Sequence, residues 1–337
     1  MSSGTKSLRQ AAKTLPPLRK LVEERDHLAA ALAEARQRIV ELEQKARIAE
    51  EPVSDAVQLW PPGHFYSPVP SVDDIARFDA GIERACAATG LPGIDLNVEV
   101  QLDTIRKMAG LYAPDALPET KQAGRRYYCE NEFFSYADAV ALQGMLRLAQ
   151  PKRLVEVGSG FSSALILDTR DAFLPHRTHC TFVEPNPDRL ELLFTDADRE
   201  SDDIIVSLVQ DVSMSVFESL DDGDVLFIDS SHVSKLASDV NMFVFDVLPR
   251  LKPGVLVHVH DVFYPFEYPR EWVHQGRAWT EGYLVRAFLE FNDAFEVVLF
   301  NSYLRAFHRA EVASAMPLWD NNHGGSLWLR RRPARAG

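Results

Sequence analysis

One eleven-residue stretch, Arg153-Leu-Val-Glu-Val-Gly-Ser-Gly-Phe-Ser-Ser163, limits what this chain can fold into more than any other. The apolar run Leu154 to Val157 stops at Gly158 and Gly160, and a second apolar run, Ala164 to Leu167, begins after two serines. This is the pattern of a buried parallel strand, a tight glycine turn and a helix N-terminus. Glycine lets the backbone approach a ligand closely, and the first free N–H groups of the helix face whatever lies over the turn. A nucleotide-like ligand suits such a turn, although structural strand-to-helix turns carry the same two glycines.

Downstream, short apolar segments alternate with helical ones. Cys180 to Glu184, Ile204 to Val209, Asp224 to Asp229 and Val255 to His260 read as strands; Pro187 to Ala197 and Lys235 to Leu251 read as helices. That alternation predicts a parallel sheet covered on both faces. Phe295 to Phe300 and Ser326 to Arg330 add two closing strands across a long polar loop, for seven in all. In open parallel sheets, ligands bind beyond the carboxyl ends of the strands. Four segments there end in acids or acid-containing turns, at Glu156, Glu184, Asp229 and Asp261. Four acids on one rim imply a site.

The acid-x-Gly-x-Gly turn, with a second strand ending in Glu184, resembles the class I S-adenosylmethionine-dependent methyltransferases, here with Ser162 at the place of the usual third glycine. The likeness runs from about Tyr127 to Leu329. It includes a His-Asp-x-Phe turn after the fifth strand, His260-Asp-Val-Phe263, and a Trp-x-Glu-x-Tyr helix start, Trp279-Thr-Glu-Gly-Tyr283. The resemblance implies a Rossmann-like seven-stranded α/β sheet and S-adenosyl-L-methionine as cofactor. It places the methionine and ribose end of the pocket on Glu156, Gly158, Gly160 and Ser162, the ribose hydroxyls on Glu184 and the adenine side on Asp211, with Asp229 on the pocket's edge.

Two readings of the chemistry stand side by side. Asp229 and Asp261, with His260 as a third donor, resemble the ligands of metal-dependent O-methyltransferases, where magnesium or a similar hard ion would orient the substrate and lower its hydroxyl pKa. The acid-acid or acid-asparagine pair familiar in that family is His260-Asp261 here. Alternatively, His232 or His260 acts as a general base, a neutral imidazole accepting the proton of an attacking hydroxyl. His258, on the same strand face as His260, reads as a buried, hydrogen-bonded histidine. The aromatic, proline-rich stretch 262–283 reads as a substrate wall, with Tyr264, Trp279, Glu281 and Tyr283 as contacts and Phe266 and Trp272 as packing residues. Tyr128 and Asn131 are candidates for a lid. The expected acceptor is a small polyol, sugar or natural product. A nicotinamide-dependent oxidoreductase and a non-catalytic scaffold are the rival readings.

Outside that region, residues 1–50 carry a heptad from Leu18 to Ala46, with Leu21, Leu28, Leu32, Ile39 and Leu42 among the seam positions, and read as a coiled-coil helix joining copies into a homo-oligomer. Residues 51–71 are a proline-rich linker whose Trp60, Phe65 and Tyr66 suggest packing on the domain, 72–134 a helical cap opened by a capping box at Ser71-Val-Asp-Asp74, 135–331 the catalytic domain, and 332–337 a basic tail. A net charge of -13 argues against general nucleic-acid binding. Three scattered cysteines, with no apolar leader or span, suggest reduced thiols and a cytoplasmic address.

Overall fold

A computed structural model of the chain describes residues 59–333, together with three helical positions, 25, 31 and 35. The heptad segment otherwise lies outside the described residues, as does the basic tail beyond 333. Seven strands form one sheet: β1 Arg153–Val157, β2 His179–Val183, β3 Asp203–Ile205, β4 Val225–Ile228, β5 Leu256–Val259, β6 Phe295–Phe300 and β7 Leu327–Arg331. Their order is β3-β2-β1-β4-β5-β7-β6. The first five are parallel, and β7 runs antiparallel between β5 and β6. Buried residues such as Val155, Leu226 and Val257 fall on one face and Leu154, Phe182 and Phe227 on the other, giving two hydrophobic layers. Strands buried on both faces need near-continuous apolar runs, which is why these segments lack the strict alternation of a half-exposed strand.

The order reverses at β1, so the crevice opens beyond the carboxyl ends of β1 and β4. There Gly158 has φ +82°, and a Cβ on it would lie 1.7 Å from the carbonyl oxygen of Asp229. Only glycine allows the turn after β1 to press on the backbone leaving β4.

Several local expectations change. The capping box holds: Ser71 and Asp74 bond each other's backbone N–H, opening the helix Val72–Cys86. The helix expected over 187–197 breaks into Asp188–Leu193 and Asp196–Ser201, because Thr195 caps a new start with Asp198. The helix expected from Lys235 begins only at Asp239, where Ser238 accepts from the Asn241 N–H, and passes through a π turn before ending at Arg250. The strand expected over 204–209 ends at Ile205, and Val209–Asp211 is a 3-10 turn. The connection between β6 and β7 is no polar loop: it contains helices Asn301–Phe307 and Arg309–Ala315 and buries Tyr303, Leu304, Val312, Met316 and Trp319. The linker aromatics pack on each other rather than on the domain: Trp60 stacks on His64 at 4.3 Å, while Phe65 is 90% exposed. The thiols of Cys86, Cys129 and Cys180 are free, and no described helix is long and apolar enough to cross a membrane.

Candidate active site

The glycine turn is fastened by its neighbours. Gly158 N–H donates to the Val183 carbonyl, and Ser159 N–H donates to Glu184 Oε2 at 3.0 Å while Asn186 N–H donates to Oε1 at 2.9 Å. Gly160 N–H donates to Ser163 Oγ, whose hydroxyl donates to Glu156. Glu156 is fully buried, and burial pushes its carboxyl up to about 8 against the hydrogen bonds of Ser162 and Ser163. Its second oxygen, Oε1, and the nearby Ser159 Oγ have no hydrogen-bond partner. The turn opens onto a cleft of about 360 Å³ lined by Gly158, Glu184, Leu208, Gln210, Asp229 and Ser231.

A second cavity, of about 580 Å³, lies on the other side of the β5 end, between the helix Val72–Cys86 and residues 263–272. His260, Asp261 and Asp138 line it, with Ile82 and Cys86 of that helix and with Phe133 and Trp272 as aromatic wall. Asp229 therefore faces the first cavity and Asp261 the second.

His232 joins the two. Its Nε2 lies 3.4 Å from Asp229 Oδ1 and 3.7 Å from Asp261 Oδ2, and its Nδ1 lies 2.8 Å from Glu281 Oε2. The residue has φ +59°, and its carbonyl accepts the N–H groups of both Thr280 and Glu281 at 3.0 Å, which offsets the cost of that conformation. Trp279 covers the ring at 4.4 Å. His260 Nε2 lies 3.5 Å from Asp261 Oδ1, and its Nδ1 has no hydrogen-bond partner.

Burial disfavours charge throughout this cluster, but opposite charges decide each site differently. For Asp229 burial is outweighed by His260 and His232, which hold the carboxyl at about 2. For His232 it is outweighed by Asp229 and Glu281, which raise the imidazole well above its ordinary value. His260 is raised against burial by Asp261 and Asp229. In Asp261 burial wins over the two imidazoles, and its carboxyl is raised.

The family described as "Methyltransferase domain" matches residues 155–262, from β1 to the turn after β5. This span holds the glycine turn, Glu184, Asp229, His232, His260 and Asp261. The chain belongs to the class I S-adenosylmethionine-dependent methyltransferases. A protein of Archaeoglobus fulgidus, described only as uncharacterized, is 34% identical over 170 residues, covering 49% of this chain and 75% of that protein. Solved structures with some likeness include the apo-structure of CmcI-N160 (16% identity, 60% of this chain, 73% of that chain, TM-score 0.38). Another is an O-methyltransferase from Bacillus cereus in complex with S-adenosylhomocysteine (13%, 68%, 91%, 0.35).

In this methyltransferase the cleft at the glycine turn fits the cofactor, with Gly158 at its floor and the Glu184 carboxylate on its wall, whereas Glu156 and Ser159 lie behind the turn and do not line it. The metal reading fares differently. His232 Nε2 stands between the Asp229 and Asp261 carboxylates, where a cation would have to lie, and no described group of three or more His, Cys, Asp or Glu side chains is arranged to hold an ion. The donor set does not fit a metal.

The substrate contacts expected from the sequence scatter. Tyr264 lies in the core, donating from its hydroxyl to the Ala88 carbonyl and packing on Phe300, Tyr303 and Phe307, so it lines neither cavity. Glu281 is 3% exposed and holds His232. Tyr283 is 45% exposed, its hydroxyl donating to Glu267. Trp279 covers His232, whereas Trp272, expected only to pack, lines the second cavity. Asp211 is exposed at the end of its 3-10 turn, and its neighbour Gln210 lines the cleft instead. Ser162 is buried. Asn131 accepts from the N–H groups of Phe133 and Phe134 through its side-chain oxygen, closing a turn, while the Tyr128 ring meets Phe161 edge-on at 5.3 Å. His258 is buried as expected, but neither ring nitrogen has a hydrogen-bond partner; it stacks on Phe227 at 4.0 Å, and burial drives it well below its ordinary pKa. Sequence reasoning missed Asp138, Phe133, Ile82 and Cys86. Only Asp138, at a helix start, carried a visible signal, and it reads there as an ordinary first-turn acid.

Proposed function

We propose that this methyltransferase methylates an oxygen of a small polyol, sugar or natural product held in the second cavity, with Asp261 taking the proton. S-adenosylmethionine, when bound in the first cleft, supplies an electrophilic methyl group on a sulfonium. The acceptor hydroxyl would be the nucleophile toward that methyl group, and the Asp261 carboxylate would take its proton. The observation that carries this reading is His232, which ties Asp229 in one cavity to Asp261 in the other. A carboxyl whose pKa is raised by burial is a better base than an exposed one. With donors to carboxylates on both ring nitrogens, His232 fixes the two acids in place rather than accepting the proton itself. Holding nucleophile and methyl group in line is the remaining task of the cavity walls.

The test is calorimetric titration with S-adenosylhomocysteine, with NAD as the parallel ligand, followed by turnover of Asp261→Asn. Binding of S-adenosylhomocysteine alone, lost in Glu184→Ala, supports the cofactor site. Asp261→Asn should bind it normally but lose roughly 10²- to 10⁴-fold in kcat, and chelator should leave the rate unchanged. NAD binding would instead return the oxidoreductase reading, and full activity in Asp261→Asn would remove it as the base.

A further inference from the structure

The direction in which the Asp261 carboxylate points is not set by its side-chain partners. Its oxygens lie 3.5 Å from His260 Nε2 and 3.7 Å from His232 Nε2. At those lengths charge holds the carboxylate near the rings, but neither contact is a directional hydrogen bond that aims it. The backbone of Asp261 is in the left-handed region, at φ +55°, a conformation that a residue with a Cβ keeps only where its surroundings enforce it. Both chain neighbours are tied down: His260 N–H donates to the Ile228 carbonyl at 2.9 Å, and Val262 N–H donates to the Gly325 carbonyl at 3.0 Å.

Gly325 does more than accept that bond. A Cβ on it would lie 2.9 Å from Asp261 Cα, 3.0 Å from its N and 3.0 Å from its Oδ1. The backbone and one carboxylate oxygen of Asp261 therefore rest against the bare Cα of the glycine. That surface is itself anchored. Gly325 N–H donates to Asp138 Oδ2 at 3.2 Å, and Ser326 Oγ donates to Asp138 Oδ1 at 2.6 Å. Gly324, at φ +64°, is packed so closely that a Cβ would lie 2.8 Å from both Ala137 Cβ and Asn301 Nδ2. Asn322 Oδ1 accepts the Ala137 N–H at 2.7 Å, joining the same segment to the start of the helix Tyr136–Ala149. Asp138, Gly324 and Gly325 line the second cavity together with Asp261. On the reading that Asp261 takes the acceptor's proton, we infer that Gly325 is a positioning residue for that base: Asp138 fixes the Gly324-Gly325 turn, and the turn fixes the direction of the Asp261 carboxylate. A base turned away from the hydroxyl loses its proton-transfer geometry, and a methyl group at position 325 would turn it.

The experiment reads the two imidazoles that face Asp261. The full-length protein, labelled with [15N]histidine and saturated with S-adenosylhomocysteine, is compared by NMR at one pH, with the His232 and His260 ring signals assigned by replacing each residue with glutamine. Gly325→Ala, at a position whose own backbone is not left-handed, should displace both ring signals. The signal of the distant His179, paired with Asp203, should stay in place, and S-adenosylhomocysteine affinity should be unchanged. In an Asp261→Asn background the displacement should shrink, because Gly325 acts through that carboxylate. Ser326→Ala removes one donor from Asp138 and adds no atom; it should displace the same signals less and serves where Gly325→Ala does not fold. Signals of His232 and His260 that stay in place in the variant that folds, or that move equally in the Asp261→Asn background, overturn the inference whatever the loss in Tm. Full turnover in Asp261→Asn would instead strike the base assignment on which it rests, and failure of S-adenosylhomocysteine to bind would strike the methyltransferase reading, so the failures are told apart.

Discussion

Glu281 shows how much a single side chain can carry without touching a substrate. Its carboxylate is buried against His232 Nδ1 at 2.8 Å, and its own N–H holds the His232 carbonyl, so one residue sets both the ring and the backbone of that histidine. Glu281→Gln keeps a hydrogen-bond acceptor and removes the charge that raises the His232 pKa. Loss of a proton from His232 should then begin at lower pH: the alkaline limb of the kcat profile moves down, with kcat lower by about a hundredfold and S-adenosylhomocysteine affinity unchanged. An unmoved limb would reduce Glu281 to packing. Glu156 makes a different prediction. Its carboxyl is raised from 4.5 to about 8, so the native state holds a proton that the unfolded chain has released. Stability from this residue is full below pH 4.5 and is lost as pH rises toward 8, by roughly a few kcal/mol at most. Glu156→Gln cannot lose it, so the variant should gain in Tm relative to the parent between pH 5 and pH 8.5; parallel curves would place the proton elsewhere. The sequence made Glu156, Glu184 and Asp261 legible because strand-end acids stand out against apolar runs. It could not reveal Glu281 as a partner of His232, since 49 residues separate them and only the fold brings them together.

At the scale of elements, the segment before the catalytic domain is held by a buried network rather than by its aromatics. Arg126 reaches Asp168, Asp171 and Asp198, and Arg170, whose side chain is 2% exposed, reaches Asp198 and Asp202 at 2.6 Å. Asp168 also accepts the backbone N–H groups of Arg126 and Tyr127. Asp198 thus serves three arginines, Arg126, Arg170 and, at 3.4 Å, Arg177, as well as the Thr195 cap, and its pKa is lowered well below the usual range although burial opposes this. Asp198→Ala takes one carboxylate from two buried guanidiniums and breaks the buried network, which should cost about 3–5 kcal/mol in denaturant unfolding while the folded fraction keeps its S-adenosylhomocysteine affinity. A loss under 1 kcal/mol would show the network to be dispensable. Strand positions were readable because five buried parallel strands demand apolar runs. Helix ends were less so, as at Thr195, where a cap inside an apolar pattern restarts the helix. The region after β6 misled for a related reason: its buried Tyr303, Val312 and Trp319 are interleaved with Arg305, His308 and Arg309, which hide the apolar face. Tyr264 read as a binding residue because loop aromatics often are, but its ring completes a cluster with residues after β6.

For the molecule as a whole, the helix Val72–Cys86 closes the second cavity without belonging to the core. None of its residues is buried, and it is held by its capping box and by Asp79, which pairs with Arg270 and with His274 at 3.0 Å. It nevertheless supplies Ile82 and Cys86 to the cavity wall, so part of that cavity lies outside the span 155–262 that carries the methyltransferase match. The two cavities can therefore be perturbed separately. Ile82→Trp places an indole in the second cavity at a position that contributes little to stability. Because no core packing is lost, unfolding should change by no more than about 0.5 kcal/mol. S-adenosylhomocysteine should bind as before, since Ile82 does not line the first cleft. Acceptor turnover at subsaturating concentration should fall by tenfold or more, through KM if the acceptor is displaced and through kcat if it is merely tilted away from Asp261. An unchanged kcat/KM would move the acceptor out of this cavity, and the division of labour between the two cavities would go with it.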